Sequence, residues 1–288
     1  MTKKYKLNKE DTITIRDKTL YRIVALVDIG TQVKAGEIGG YIESEDNLSQ
    51  EDDAWVFDDA KVYGDARVLD KAQVCDNAHV YGEAIIYGNA CVCRDAEVYG
   101  RARVHGATEV YGDAQVFGTA QIYGAAEVSG NAHVCGLAEV YGNAWVSGDA
   151  KICEYARVFG KAKIYGEALV YGDAWIHGDA WVAENAKVFG TAKIRGEARV
   201  FGEAQVGDNT DYFCVQSFGS EGRTTTFFRE QNRWCVICGC FKGSVGEFRN
   251  QVKETHGDTP IAQEYLMIAD LMEFRIKNVE QEENDETK

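Results

Sequence analysis

The residues able to do chemistry in this chain are nine cysteines and five histidines, and their spacing limits what they can do. The segment Trp234-Cys235-Val236-Ile237-Cys238-Gly239-Cys240 holds a C-x-x-C, and with His256 downstream it offers four donors of the kind that bind zinc. A second cysteine pair, which would complete a metal knuckle, is missing. In a strand Cys238 and Cys240 share a face while Cys235 points away, and buried thiols also serve as small hydrophobes. A structural role for these cysteines therefore stands beside the metal role. Cys75 with Cys93, and Cys135 with Cys153, are each separated by 18 residues. Neither a phosphate loop, a catalytic triad nor a paired-carboxylate motif is visible, and glycine is too frequent for its spacing to carry meaning.

What must position these groups is a repeat. From Val56 to Val206 every sixth residue is Val or Ile, and two residues before each stands Ala, Thr108 excepted. In a unit such as Val62-Tyr63-Gly64-Asp65-Ala66-Arg67, Ala and the aliphatic residue face one way, their neighbours the other, and Gly-Asp turns the corner. Such units bury nothing alone and must stack. This spacing resembles that of the hexapeptide-repeat family, and the resemblance implies a left-handed parallel β-helix of triangular section with three hexads per coil. The expected fold is mainly β: about eight coils over residues 54–207, a cap of hairpin and irregular first coil over 1–53, a small α+β domain over 208–278 and an acidic disordered tail over 279–288.

With three hexads per coil, residues 18 apart stack at about 4.8 Å. The two cysteine pairs then form reduced thiol ladders. His79 and His133 lie about 14 Å apart, and His105 and His177 about 19 Å, too far for either pair to share a metal with bonds of about 2 Å. The acyltransferases of the family use a histidine near a subunit boundary and loops projecting from the coils. Here no loop interrupts the hexads, so neither a catalytic residue nor a cofactor is expected, although an acyltransferase is the alternative to a non-enzymatic role.

The formal charge of −15 disfavours a nucleic-acid backbone as partner. Residues 55–206 mix 14 basic with 20 acidic side chains, which fits solubility better than mimicry of DNA. The polar start Met1-Thr2-Lys3-Lys4, the lack of a long apolar run and the scattered cysteines suggest a cytoplasmic protein without membrane contact. Strands are expected at Tyr212–Phe218, Thr224–Arg229 and Trp234–Cys238. A helix follows from Ser244, capped by a Ser244/Glu247 box, and then a second from Pro260 to about Lys277 with Ile261, Tyr265, Leu266, Ile268 and Leu271 inward. The Gly39-Gly40-Tyr41-Ile42-Glu43 segment, the alanine-rich repeat and Cys238-Gly239-Cys240 together resemble uncharacterised phage, prophage and gut-bacterial proteins labelled as transferases or polymer-forming proteins.

The outward residues point to binding. The residue after the aliphatic one gives, on the second face, Tyr63, Tyr81, Tyr99, Phe117, Cys135, Cys153, Tyr171 and Phe189. On the third it gives Tyr87, His105, Tyr123, Tyr141, Phe159 and His177. Aromatic strips of this length mark interfaces. The expected function is a phage-type scaffold that self-assembles as a trimer or dimer or binds a host protein through these columns. An inhibitor or sponge of a host protein or nucleotide signal is a further alternative.

Overall fold

The computed structural model describes residues 3–231 and 233–286. Strands β1 (Tyr5–Ile15), β2 (Lys18–Ala25) and β3 (Ile38–Ile42) precede two-residue strands that recur every six residues, β4 (Trp55–Val56) through β29 (Gln205–Val206). Every third short strand pairs in parallel: β4, β7 and on to β28 form a first face, β5 to β29 a second, β6 to β27 a third. The faces hold nine, nine and eight short strands, close to nine coils. No helix among the described residues is long and apolar enough to cross a membrane.

The repeat works as its pattern demands. The aliphatic residues and the alanines from Ala54 to Val206 are buried in one continuous core. Backbone groups pair coil to coil, as in Lys61 N to Ala78 O at 2.9 Å and Tyr63 N to Val80 O at 3.0 Å. Corners need a left-handed residue: Gly64 has φ +72°, and a Cβ there would lie 3.1 Å from the backbone of Gly82. Arg94, Glu154 and Glu184 take such corners at φ 59–60°, each at a cost of about 1–2 kcal/mol. Thr108, in an alanine slot, is buried with its Oγ1 unpartnered.

Both ends of the coil are covered by the chain itself, which shields the open edges of a solenoid. At the start β1, β2 and β3 extend the second face, with β3 parallel to β5. Asn47 Nδ2 donates to the carbonyls of Gly64 and Ala66 at 2.8 and 2.9 Å. Lys4, buried, donates from Nζ to the carbonyls of Glu51, Asp52 and Ala54 at 3.2, 3.2 and 2.9 Å. Burial, opposed by Asp53 and Asp52, pulls its pKa down to about 8.

At the other end β30 (Tyr212–Phe218), β31 (Arg223–Glu230), β32 (Arg233–Cys238) and β33 (Phe241–Ser244) form an antiparallel sheet. One side, with Tyr212, Phe228, Cys235 and Ile237, continues the coil core. The other, with Phe227, Val236 and Cys238, packs on α1 (Val245–His256) and α2 (Pro260–Glu286). Arg199 N donates to Thr226 Oγ1 at 3.0 Å and Glu203 N to Glu230 Oε1 at 3.2 Å, so last-coil donors find partners in the cap.

The Ser244/Glu247 capping box forms as expected. Three expectations need correction. A fourth strand, β33, folds back on β32 through a Gly239-Cys240 turn. Helix α2 continues through the acidic segment to Glu286, consistent with the helix propensity of Glu and Gln; the last two residues of the expected tail lie outside the described ones. On α2, Tyr265 and Ile268 are buried, but Ile261 and Leu271 are exposed with Met267 and Phe274, and the buried stripe runs instead through Ala262, Ala269 and Met272.

Candidate functional site

Each outward side chain is placed by the alternation that sends Val or Ile inward one residue earlier, and the coil pitch sets the rest. On the third face the rings of Tyr87, His105, Tyr123, Tyr141, Phe159 and His177 stack without a break, with centroids 4.5, 5.3, 4.7, 4.8 and 4.8 Å apart. All six are half-buried. Tyr123 Oη donates to Glu139 Oε2 at 3.0 Å, which pins the ring to the next coil. Burial, helped by that hydrogen bond, pushes its phenol up to about 12.

The second face is shorter and partly covered. Tyr63, Tyr81, Tyr99 and Phe117 stack at 5.1, 4.9 and 5.0 Å, then Cys135 and Cys153 interrupt, and Tyr171 with Phe189 resumes at 5.4 Å. Tyr63 is only 5% exposed because Leu20 and Tyr41 of the N-terminal cap sit on it, and Arg16 lies over Tyr81. The chain itself thus occupies the start of this column, and Tyr63 has no surface left for a partner.

Two of the five histidines belong to these ring stacks. His105 lies between Tyr87 and Tyr123 and His177 ends the third-face column on Phe159, and burial, aided by Arg103 and Arg195 respectively, lowers both pKa values. His79 and His133 meet Tyr63 and Phe117 edge-on at 6.4 and 6.5 Å. Beyond His177 the third face meets the C-terminal sheet in a cleft of about 720 Å³, where Lys193, Arg195 and Arg275 bring positive charge to a chain that is acidic as a whole.

The quartet Cys235, Cys238, Cys240 and His256 does not assemble. Cys235 faces the coil core, with Sγ 3.4 Å from Glu230 Oε2; Cys238 faces the helices, with Thr225 Oγ1 donating to it at 3.1 Å. Cys240 sits exposed at the turn between β32 and β33, not in a strand beside Cys238. Cys235 drops out of the set, since a two-sided sheet sends Cys235 and Cys238 to opposite layers, while Cys238, Cys240 and His256 border one recess of about 450 Å³.

A different set of thiols converges. The Sγ atoms of Cys75, Cys91 and Cys93 lie within 4.8 Å of one another on the first face. The three thiols titrate together: contact with Cys75 and Cys91, with Arg94 adding positive charge, favours the thiolate at Cys93, while Cys75 and Cys91 are raised. The pair Cys75 and Cys93 is a ladder expected from the 18-residue spacing. Cys91 escapes that reasoning because it precedes the inward Val92, yet alternation alone puts Cys91 and Cys93 on one side of the strand.

These observations define the class: a parallel β-solenoid of hexad coils, closed at both ends by its own chain, with patterned outer faces. A family model described as the YdcK Beta solenoid repeat matches residues 72–88 and 162–178, so the chain is similar to that family over two runs of hexads. The first run includes Cys75 and the second His177. No curated protein matches the chain.

Proposed function

We propose that the protein is a non-enzymatic, cytoplasmic scaffold of phage type whose third face is a lateral docking surface for another copy of the chain, in a dimer or trimer. The observation that carries this is the unbroken half-buried stack from Tyr87 to His177. Apolar strips of this extent are uncommon on monomers, and Tyr is enriched at interfaces. A second copy suits the strip physically, because its ladder has the same coil pitch and rings of two such ladders stay in step along their length. The caps leave lateral growth as the open route. The hexapeptide class and left-handed winding belong to the same proposal, supported by the Val/Ile-x-x-x-Ala spacing.

Acyl transfer is less well supported. No loop leaves the coils between Trp55 and Val206, so no coil loop walls a pocket for an acyl carrier, and the cleft beside His177 is bordered by the C-terminal sheet instead. Light scattering across a concentration series tests the proposal. The wild type is expected as a discrete oligomer, and Tyr123→Ser/Tyr141→Ser/Phe159→Ser as a folded monomer. A wild type that is monomeric throughout, or a triple variant of unchanged mass, would exclude self-assembly through this face and leave a host protein or signal molecule as the occupant. Turnover of a coenzyme A thioester that vanishes in His105→Ala or His177→Ala would restore the enzyme.

A further inference from the structure

Three thiols meeting at one point is more than redox pairing needs, since a disulfide uses two. The sulfurs of Cys75, Cys91 and Cys93 come from two adjacent coils whose register is locked: Gln73 pairs with Cys91 and Val74 with Val92. Cys75 N donates to Val92 O at 2.9 Å, which sets Cys75 beside Cys93. Cys91 and Cys93 project on the same side of one strand. The backbone that aims the three groups is therefore rigid, as a preorganised ligand set requires. Packing does not demand sulfur here. All three are half-buried, and the column of Cys75 and Cys93 uses Phe57, Tyr111, Ser129 and Ser147 elsewhere. Cys91 is also the one cysteine at its hexad position among all the coils.

We propose that Cys75, Cys91 and Cys93 form a binding site for a soft, thiophilic metal ion of the zinc, cadmium or copper(I) kind. Metal–sulfur bonds of about 2.3 Å place the sulfurs of such a site about 3.8–4.0 Å apart, which small side-chain rotations reach from the present cluster. A three-sulfur face leaves one position open. Next to it a recess of about 280 Å³ reaches Cys91 beneath the loop around Gln32, which is tied down by Gln73 Nε2 donating to Gln32 Oε1 at 2.7 Å. Of the three thiols the recess borders Cys91, and on that side it has room for water or a small donor. Binding exchanges thiol protons for the ion: each sulfur that ligates leaves as thiolate, and its proton goes to solvent.

The test uses the full reduced chain, freed of metal by chelation and titrated with Cd²⁺, with Zn²⁺ and Co²⁺ in parallel. Thiolate-to-metal ultraviolet absorption and proton release are the readouts. One saturable equivalent per chain is expected, with Co²⁺ giving the visible bands of a sulfur-rich tetrahedral site. Loss of outer-shell partners already costs about 10–100-fold in affinity, so Cys91→Ser and Cys93→Ser should each weaken binding by about 100-fold or more. Both should keep the wild-type thermal transition, since the side chains point outward. Cys135→Ser/Cys153→Ser and Cys240→Ser should bind as the wild type does. Absence of a saturable equivalent, binding that survives Cys91→Ser, or binding that follows Cys135, Cys153 or Cys240 instead would overturn the site.

Discussion

The first and third faces of the coil share one backbone and one inner lining, and they differ in what they display. Inside, both show alanine and an aliphatic residue. Outside, the third face repeats rings from Tyr87 to His177, while the first changes from Phe57 to Cys75 and Cys93, then Tyr111 and serines. A uniform column suits an extended surface, and a break in a column suits a point site. The inward positions specify the fold and the outward ones the chemistry, so a fold-level likeness says little about activity.

Substitutions that attack the shared interior should have the largest effect and strike both faces alike. Ile122 is fully buried, and Ile122→Asp strands a carboxylate in a dry core. A loss of several kcal/mol is expected in denaturant melts, or failure to fold. Deleting Lys151 should do at least as much, because it reverses the alternation of the strand that follows.

Next comes the cap. Lys4→Met leaves the carbonyls of Glu51, Asp52 and Ala54 without their donor and should cost about 1–3 kcal/mol. The variant also sharpens a pH effect. Folding lowers the Lys4 pKa from 10.5 to about 8, so the unfolded chain holds more protons between those values. Stability should thus rise with pH through that window in the wild type relative to Lys4→Met, and the difference should be flat below about pH 8. A difference that falls with rising pH would contradict the burial argument.

Smaller still is Thr108→Ala, which removes a buried hydroxyl that has no partner and should stabilise by about 1 kcal/mol in a melt. Smallest is His105→Phe, which keeps the ring stack and removes a titrating group. Folding lowers the His105 pKa, so stability should fall as pH drops below its ordinary value near 6.5, and the variant should lose part of that fall without losing its oligomer.

The coil was legible because Val or Ile every six residues leaves one way to bury them, and the Ser244/Glu247 cap because its two residues are sufficient. The C-terminal domain was less so. Its strand β33 is four residues long and begins right after a Gly-Cys turn, and the buried stripe of α2 includes Ala262 and Ala269, which carry little hydrophobic signal. Of the outer surface, the ring ladders could be written down from spacing. That the cap covers Tyr63 could not, because it depends on Leu20 and Tyr41 arriving from outside the repeat. The trio of Cys75, Cys91 and Cys93 was within reach, had both outward positions of each hexad been followed across coils.

The central claim, that the third face docks another copy, is tested most directly by placing a photo-crosslinking aromatic residue at Tyr141 and, in a separate variant, at Tyr99 on the second face. The account predicts a covalent dimer or trimer of the chain from the Tyr141 position, in purified protein, with much less from Tyr99. Equal yields from both positions, or only monomer from Tyr141 at high concentration, would contradict it.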